Sequence, residues 1–194
     1  VNQCFPGGMM DVAWTGEGFV GVGDGFWFSP DGITWDLTTE LEGHLVATSL
    51  SQWGTRWIAV GRGPRISMPG LEVMPGSEEG RRDQDSAAVW ISDDARSWEL
   101  VFVDDSNWGF AADVVAGPDG PVVVGWTWAG FRDVRLPAAW HSPDGTTWEA
   151  VFPTEQELAS ALSWEGLMDH VIRMGGWLIA ADEGYRDGSH PQRE

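Results

Sequence analysis

One short turn is written three times along this chain, and each copy ends on a tryptophan. Residues 29–35 read SPDGITW, residues 142–148 read SPDGTTW, and residues 92–98 read SDDARSW, which keeps only the serine, one aspartate and the tryptophan. Each copy follows a short aromatic segment and precedes a second apolar one, the pattern of a β-hairpin. The repetition predicts a protein built from one sheet unit used several times.

A second pair of strands is predicted upstream of every hairpin. Segments 11–23, 49–61 and 113–125 align without a gap, and segment 170–181 aligns with them less completely. Each segment contains two apolar runs on either side of a turn, so the unit has four antiparallel strands. The predicted units span residues 9–40, 44–104, 108–153 and 164–194, the last one incomplete.

The repeated turn resembles the Asp-box, or BNR repeat, whose pattern is Ser/Thr-x-Asp-x-Gly-x-Thr-Trp. Asp-boxes occur in the β-propellers of sialidases, sortilin-type receptors, xyloglucan-degrading glycosidases and photosystem assembly factors. The resemblance implies an all-β propeller of four-stranded antiparallel blades, and it indicates the fold rather than the activity. The residues assigned to the three boxes are Ser29, Asp31, Gly32, Thr34, Trp35, Ser92, Asp94, Trp98, Ser142, Asp144, Gly145, Thr147 and Trp148.

The box residues are expected to be structural. An aspartate side chain accepts hydrogen bonds from backbone N–H groups a short distance along the chain, and so it can hold a tight turn closed. Gly32 and Gly145 permit a positive φ, whereas Ala95 at the same place in the second copy adopts it at a cost. We expect the three box tryptophans to be largely buried under their own hairpins.

The charge of the chain restricts its partners. Thirty acidic and eleven basic residues give a formal net charge of −19, and every basic residue is arginine. A surface this negative repels phosphate groups, so nucleic acid is not an expected partner. No apolar run reaches the roughly 18 residues of a membrane helix, so membrane insertion is not expected either.

Candidate binding residues concentrate at the end of the units opposite the boxes, where the connection between the second and third strands varies in length. This connection is short at 24–25, long from Gly63 to Asp85, and intermediate at 129–136. Arginines on these loops and nearby tryptophans outside the repeat suit an anionic or polyhydroxylated ligand. Solvated loop charges and tryptophans that fill gaps between blades are the alternative. The candidates are Arg65, Arg81, Arg82, Arg132, Arg135, Trp108, Trp126, Trp128 and Trp164.

No catalytic residue, metal site or cofactor is predicted. Resemblance to a sialidase would imply a Phe/Tyr-Arg-Ile-Pro motif in the first unit, but the nearest match, VRLP at 134–137, stands in the third. The four histidines have no paired ligand spacing. We therefore expect a non-catalytic module, extracellular or in the cell envelope, that binds a glycan or a protein. A fragment of an extracellular glycoside hydrolase, sialidase-like or xyloglucanase-like, is the alternative.

The count of predicted strands also suggests a partner. The fourth unit has only its first two strands, and a closed propeller usually has four to eight blades. An open arc of blades leaves apolar sheet faces in water and strand edges unpaired. We expect the missing blades to come from the remainder of a longer polypeptide or from another copy of the chain.

Overall fold

The computed structural model describes residues 8–66, 84–106, 108–128, 135–151, 168, 170–174 and 177–181. In these residues the protein is all-β, and no helix occurs among them. The strands are β1 (Asp11–Trp14), β2 (Phe19–Val22), β3 (Gly25–Ser29), β4 (Asp36–Glu40), β5 (Val46–Trp53), β6 (Arg56–Ile66), β7 (Gln84–Ser92), β8 (Glu99–Val103), β9 (Gly109–Gly117), β10 (Gly120–Trp128), β11 (Arg135–His141), β12 (Glu149–Val151), β13 (His170–Met174) and β14 (Trp177–Ala181).

The described strands form four antiparallel sheets. Sheet 1 contains β1–β4, sheet 2 contains β5–β8, sheet 3 contains β9–β12, and sheet 4 contains β13 and β14. Within each sheet the spatial order of the strands follows the chain, so every neighbouring pair is a hairpin. The all-β class and the antiparallel sheets agree with the sequence-based prediction.

Two hairpins are longer than the sequence suggested. In sheet 2 the ladder continues to the pair formed by Ile66 and Gln84, inside the segment predicted to be a loop. A register shift between Arg62 and Arg65 accommodates Gly63 and Pro64. Glycine and proline are tolerated at bulges, but they interrupt the residue pattern by which a strand is predicted from sequence. The hairpin of β10 and β11 likewise extends to Trp128 and Arg135. Sheets 2 and 3 therefore reach further than sheet 1 at the end opposite the boxes.

The apolar core lies between successive sheets. One cluster joins Val20, Val22 and Phe26 of sheet 1 to Trp57 and Trp90 of sheet 2. A second cluster joins the other face of sheet 2 to sheet 3. Sheet 2 is therefore covered on both faces, which explains why β6 and β7 are apolar at consecutive positions instead of alternating.

The first strands of consecutive sheets are neighbours. β5 contacts β1, β9 contacts β5, and β13 contacts β9. Close approach inside each sheet depends on a recurring glycine at the second strand, Gly23, Gly61 or Gly125. A Cβ at any of these glycines would overlap a backbone carbonyl oxygen near the start of the first strand in the same sheet. The oxygens are those of Gly8, Val46 and Phe110, in that order. The aligned glycines are thus required by backbone packing.

Candidate functional site

In each copy of the repeated turn the aspartate closes its own loop. Oδ1 of Asp31 accepts hydrogen bonds from the N–H groups of Ile33 and Thr34, both at 2.8 Å. Asp94 and Asp144 accept the corresponding pairs at 2.6 to 2.8 Å. The serine two residues earlier donates its hydroxyl to the same oxygen at 3.1 Å in all three copies. The hydrogen bonds expected of the box aspartates are present.

These hydrogen bonds lower the pKa of the three carboxylates. In every copy the largest cause is the N–H three residues along the chain, followed by the N–H two residues along. They lower the pKa of Asp94 to about 2, and they also lower the pKa of Asp31 and Asp144. A carboxylate held ionised by backbone amides is a poor general acid, so the boxes are unsuited to proton transfer.

The degenerate second box keeps the shape of the other two. Gly32 and Gly145 have φ values of 73° and 78°, and Ala95 has a φ of 57°, the only positive φ of a non-glycine residue in the described ranges. Ala95 is 1% exposed and belongs to the core between sheets 1 and 2. Burial of its methyl group offsets the cost of the left-handed backbone.

The box tryptophans do not all pack as expected. Trp98 stacks on Phe26 of sheet 1, with ring centroids 4.3 Å apart, and Trp148 contacts Phe102 of sheet 2 at 5.7 Å. The prediction that each ring is buried under its own hairpin is wrong for Trp98, which packs against the preceding sheet. Trp148 contacts both, since its Nε1 also donates to the carbonyl of Gly145 in its own turn at 3.2 Å. Trp35 lies over Gly21 of its own sheet. All three rings are partly buried.

A row of polar side chains crosses from sheet to sheet at the aligned first position of the repeat. Ser49 in β5 donates its hydroxyl to Oδ1 of Asp113 in β9 at 2.6 Å and to Oδ2 of Asp11 in β1 at 3.4 Å. His170 in β13 lies with Nδ1 3.9 Å from Oδ2 of Asp113. The alignment of the repeats gave this column, but sequence reasoning did not select it as a site.

The two aspartates of this row are committed to structure. Oδ2 of Asp11 accepts a hydrogen bond from the N–H of Leu50 in the next sheet at 3.0 Å, and Oδ2 of Asp113 accepts one from Val171 at 2.8 Å. In a Ser-His-Asp triad the histidine stands between the serine and the carboxylate. Here Asp113 stands between Ser49 and the histidine, so this row is not such a triad. It ties consecutive sheets together.

The other cluster lies at the end of sheets 2 and 3 opposite the boxes. Trp126 and Phe110 face each other on paired strands of sheet 3, with ring centroids 6.0 Å apart. The guanidinium of Arg62 in sheet 2 lies 5.9 Å from the centroid of Phe110, and its Nε lies 3.1 Å from Oδ2 of Asp85. The ion pair is partly exposed. Cation, aromatic rings and carboxylate therefore meet where two sheets adjoin.

Three of the predicted binding tryptophans and arginines can be placed on this end by their backbones. The backbone of Arg65 pairs with that of Asp85 in sheet 2, and the backbone of Trp128 pairs with that of Arg135 in sheet 3. The side chains of Arg65, Trp128 and Arg135 lie outside the described part. Trp108 is partly buried, and its carbonyl oxygen accepts the hydroxyl of Thr127 at 2.8 Å. The remaining candidates lie outside the described residues: Arg81, Arg82, Arg132 and Trp164.

Sequence reasoning missed Arg62 and Phe110. Arg62 lies between the aligned segment that ends at Gly61 and the predicted loop that begins at Gly63, so it was not counted among the loop arginines. Phe110 was hidden because it precedes the aligned segment of sheet 3. Both became visible only through the pairing of strands and sheets.

No group of three or more histidine, cysteine, aspartate or glutamate side chains suited to a metal ion occurs among the residues that the structure describes. Within the same residues, no helix is long and apolar enough to cross a membrane.

Comparison of the sequence with protein-family models gave no match, and comparison with curated proteins gave none.

Proposed function

We propose that this chain is part of an Asp-box β-propeller that acts as a non-catalytic binding module, outside the cell or in its envelope. Its ligand, a glycan in preference to a protein, is held on the face opposite the boxes. The observation that carries this proposal is the cluster of Arg62, Phe110 and Trp126 at that end of sheets 2 and 3. The boxes themselves are occupied by internal hydrogen bonds.

A repeated packing rule supports the propeller arrangement. In sheet 2, Leu50, Ala59 and Trp90 form a row across paired strands and are buried against sheet 1. In sheet 3, the equivalent row of Val114, Val123 and Trp140 is buried against sheet 2. Sheets 2 and 3 thus each pack their own copy of this row against the preceding sheet. Radially repeated blades cover their faces in this way.

Sheet 1 leaves its own copy of this row covered only in part. Val12, Gly21 and Trp27 are its equivalents. Gly21 is buried beneath Met9 and Trp35, whereas Val12 is 45% exposed and its counterpart in sheet 2, Leu50, is 8% exposed. Trp14, on the same face as Val12, is 54% exposed. Apolar rings and branched side chains in a row are favourable packing surface. We infer that another blade covers this face, supplied by the remainder of a longer polypeptide or by another copy.

The size of the species in solution tests the propeller. If another copy supplies the covering blade, light scattering after size exclusion is expected to give a multiple of the 21.2 kDa chain mass. If a longer polypeptide supplies the covering blade, this chain expressed alone should associate weakly, or an apolar dye should bind to the row that contains Val12. Addition of the missing blades should then suppress binding of the dye. A monodisperse, stable 21.2 kDa monomer that binds no dye would contradict the propeller.

The ligand end has the chemistry that sugars require. Indole and phenyl rings stack on the C–H faces of sugars, and a guanidinium donates hydrogen bonds to hydroxyl or carboxylate groups. Arg62 is partly exposed between the two sheets and lies in an ion pair with Asp85. Its guanidinium N–H groups that face solvent are therefore suited to donate hydrogen bonds to the hydroxyl groups of a sugar.

A glycoside hydrolase is the second candidate, since two carboxylates, Asp11 and Asp113, share the hydroxyl of Ser49. Retaining glycosidases place two carboxyl groups about 5 to 5.5 Å apart. However, both aspartates accept backbone N–H groups, and catalysis needs one to donate a proton and the other to attack the sugar. The binding module therefore fits the geometry better than the enzyme.

Two substitutions at the ligand end and one at the box end test the ligand face. On an array of neutral and acidic glycans, we expect Arg62→Ala and Trp126→Ala to weaken binding about tenfold or more, as loss of a hot-spot side chain does. Arg56→Ala is the matched control, because Arg56 lies on the same strand, pairs with Asp93 at 2.9 Å and stands at the box end. Its affinity should stay within about twofold of the original.

Two results would contradict the proposed function. One is equal loss of binding in Arg56→Ala and Arg62→Ala, which would indicate a general charge effect. The other is turnover of fluorogenic glycosides that Asp113→Asn abolishes while the fold is retained, which would favour the hydrolase.

A further inference from the structure

A cleft at the box end, away from the proposed ligand face, separates the turns of sheets 2 and 3. One wall is formed by Gln52, Trp53 and Gly54 between β5 and β6. The other is formed by residues 116–118 between β9 and β10. The cleft has a volume of about 250 Å³, below the roughly 300 to 1,000 Å³ of sites for drug-sized ligands, so it suits one small ring.

Trp53 is held in place by the third box. A Cβ at Gly145 would lie 2.5 Å from Cζ3 of Trp53 and 3.1 Å from Cδ1 of Ile91, so the indole rests on the glycine of the turn. Trp53 does not recur in the repeat, since threonine stands at the equivalent position of the first unit. The ring is partly exposed, and its indole nitrogen makes no hydrogen bond within the described residues. The indole thus packs at the junction of sheets 2 and 3, and the part of its surface that stays exposed lines the cleft in a fixed position.

One polar side chain lines the cleft beside this aromatic surface. The side-chain amide of Gln52 is exposed and donates to the carbonyl of Gly54 at 3.3 Å, which leaves its carbonyl oxygen as an acceptor. Arg173 of sheet 4 and Asp119 form an ion pair at 3.1 Å next to Gly117, but neither is among the residues that line the cleft. Gln52 is therefore the side chain that can bind hydroxyl groups there.

We propose that this cleft binds one neutral pyranose ring, with the C–H face of the sugar on the indole of Trp53 and its hydroxyl groups on the side-chain amide of Gln52. An aromatic plane suits the apolar face of a sugar, and an amide offers both donors and an acceptor to hydroxyl groups. A neutral ring is favoured because none of the described residues that line the cleft carries a charge. The site is independent of the ligand end opposite the boxes.

Saturation-transfer NMR with glucose, galactose, mannose, xylose and N-acetylglucosamine, each tested singly, examines this site. We expect at least one sugar to receive magnetisation at its ring C–H protons. Trp53→Ala should weaken that binding about tenfold or more, Gln52→Ala should weaken it less, and Trp53→Phe should retain part of it. Trp14→Ala, which removes an exposed indole of sheet 1, should leave the affinity unchanged.

A second variant separates loss of the site from loss of the fold. Ala116→Leu fills the cleft from the opposite wall and leaves Trp53 in place, so it should also abolish the signal while the melting temperature is retained. Absence of transfer to every sugar, or full affinity in Trp53→Ala or Ala116→Leu, would overturn the proposal. Trp126→Ala tests the ligand site at the other end of the sheets. Its outcome does not affect sugar binding in the cleft, so each of the two proposals can be contradicted without the other.

Discussion

Replacement of Gly61 with alanine is expected to destabilise the protein by more than about 3 kcal/mol, the upper range of overpacking in a close-packed interior. A Cβ at this position would overlap the carbonyl oxygen of Val46 and lie 2.9 Å from Cα of Ala47. Both atoms belong to the backbone of the neighbouring strand, so no side-chain rotation relieves the overlap. Urea denaturation followed by tryptophan fluorescence measures the loss.

A glycine with open surroundings is the control for this substitution. Gly16 has a φ of 98°, and no atom lies within 4 Å of a Cβ built on it. Gly16→Ala should therefore cost only the backbone strain of a positive φ, about 1 to 2 kcal/mol. Equal losses in the two variants would show that φ preference, not the approach of the two strands, explains the glycine column.

Replacement of Trp140 with alanine is expected to cost about 3 to 5 kcal/mol, the range for a buried aromatic residue. Trp140 is 1% exposed in the core between sheets 2 and 3, and its Nε1 donates to Oδ2 of Asp104 at 3.0 Å. Asp104 is itself buried, so the variant also removes a hydrogen bond from a carboxylate with little access to water. The change in urea midpoint measures the effect.

Two variants separate packing from hydrogen bonding at this site. Trp140→Phe keeps most of the ring contacts and removes the N–H donor, so it should recover part of the stability. Ile33→Ala removes a side chain that is 69% exposed on the first box turn and should cost less than about 1 kcal/mol. If Trp140→Ala were as mild as Ile33→Ala, the junction between sheets 2 and 3 would not be a tightly packed core.

The repeats were readable in the sequence because the signals are local. Asp31 and the amides it binds are within three residues of each other, so the turn can be predicted without knowledge of the fold. Alternating apolar residues around such turns then indicate antiparallel hairpins. The bounds of β6 escaped prediction, because Gly63 and Pro64 interrupt the pattern where a bulge continues the ladder.

The candidate site was only partly predictable. Trp126 was selected because it lies outside the repeat, but its partners are set by strand register and by the contact of two sheets. Arg62 stands within sheet 2 and reaches Phe110 of sheet 3, a neighbour far along the chain. Trp53 was passed over because nothing near it in sequence marks a cleft.

The sequence by itself determined the unit: turns closed by Asp31, Asp94 and Asp144, and the antiparallel strands around them. Only the tertiary structure decided which faces meet, and therefore that Trp98 and Trp148 pack on the preceding sheet. The physical reason is range. Turn hydrogen bonds and strand alternation act over a few residues. The packing of sheets depends on the shapes of side chains that are far apart in the chain, and a repeat pattern does not show which of these side chains contact each other.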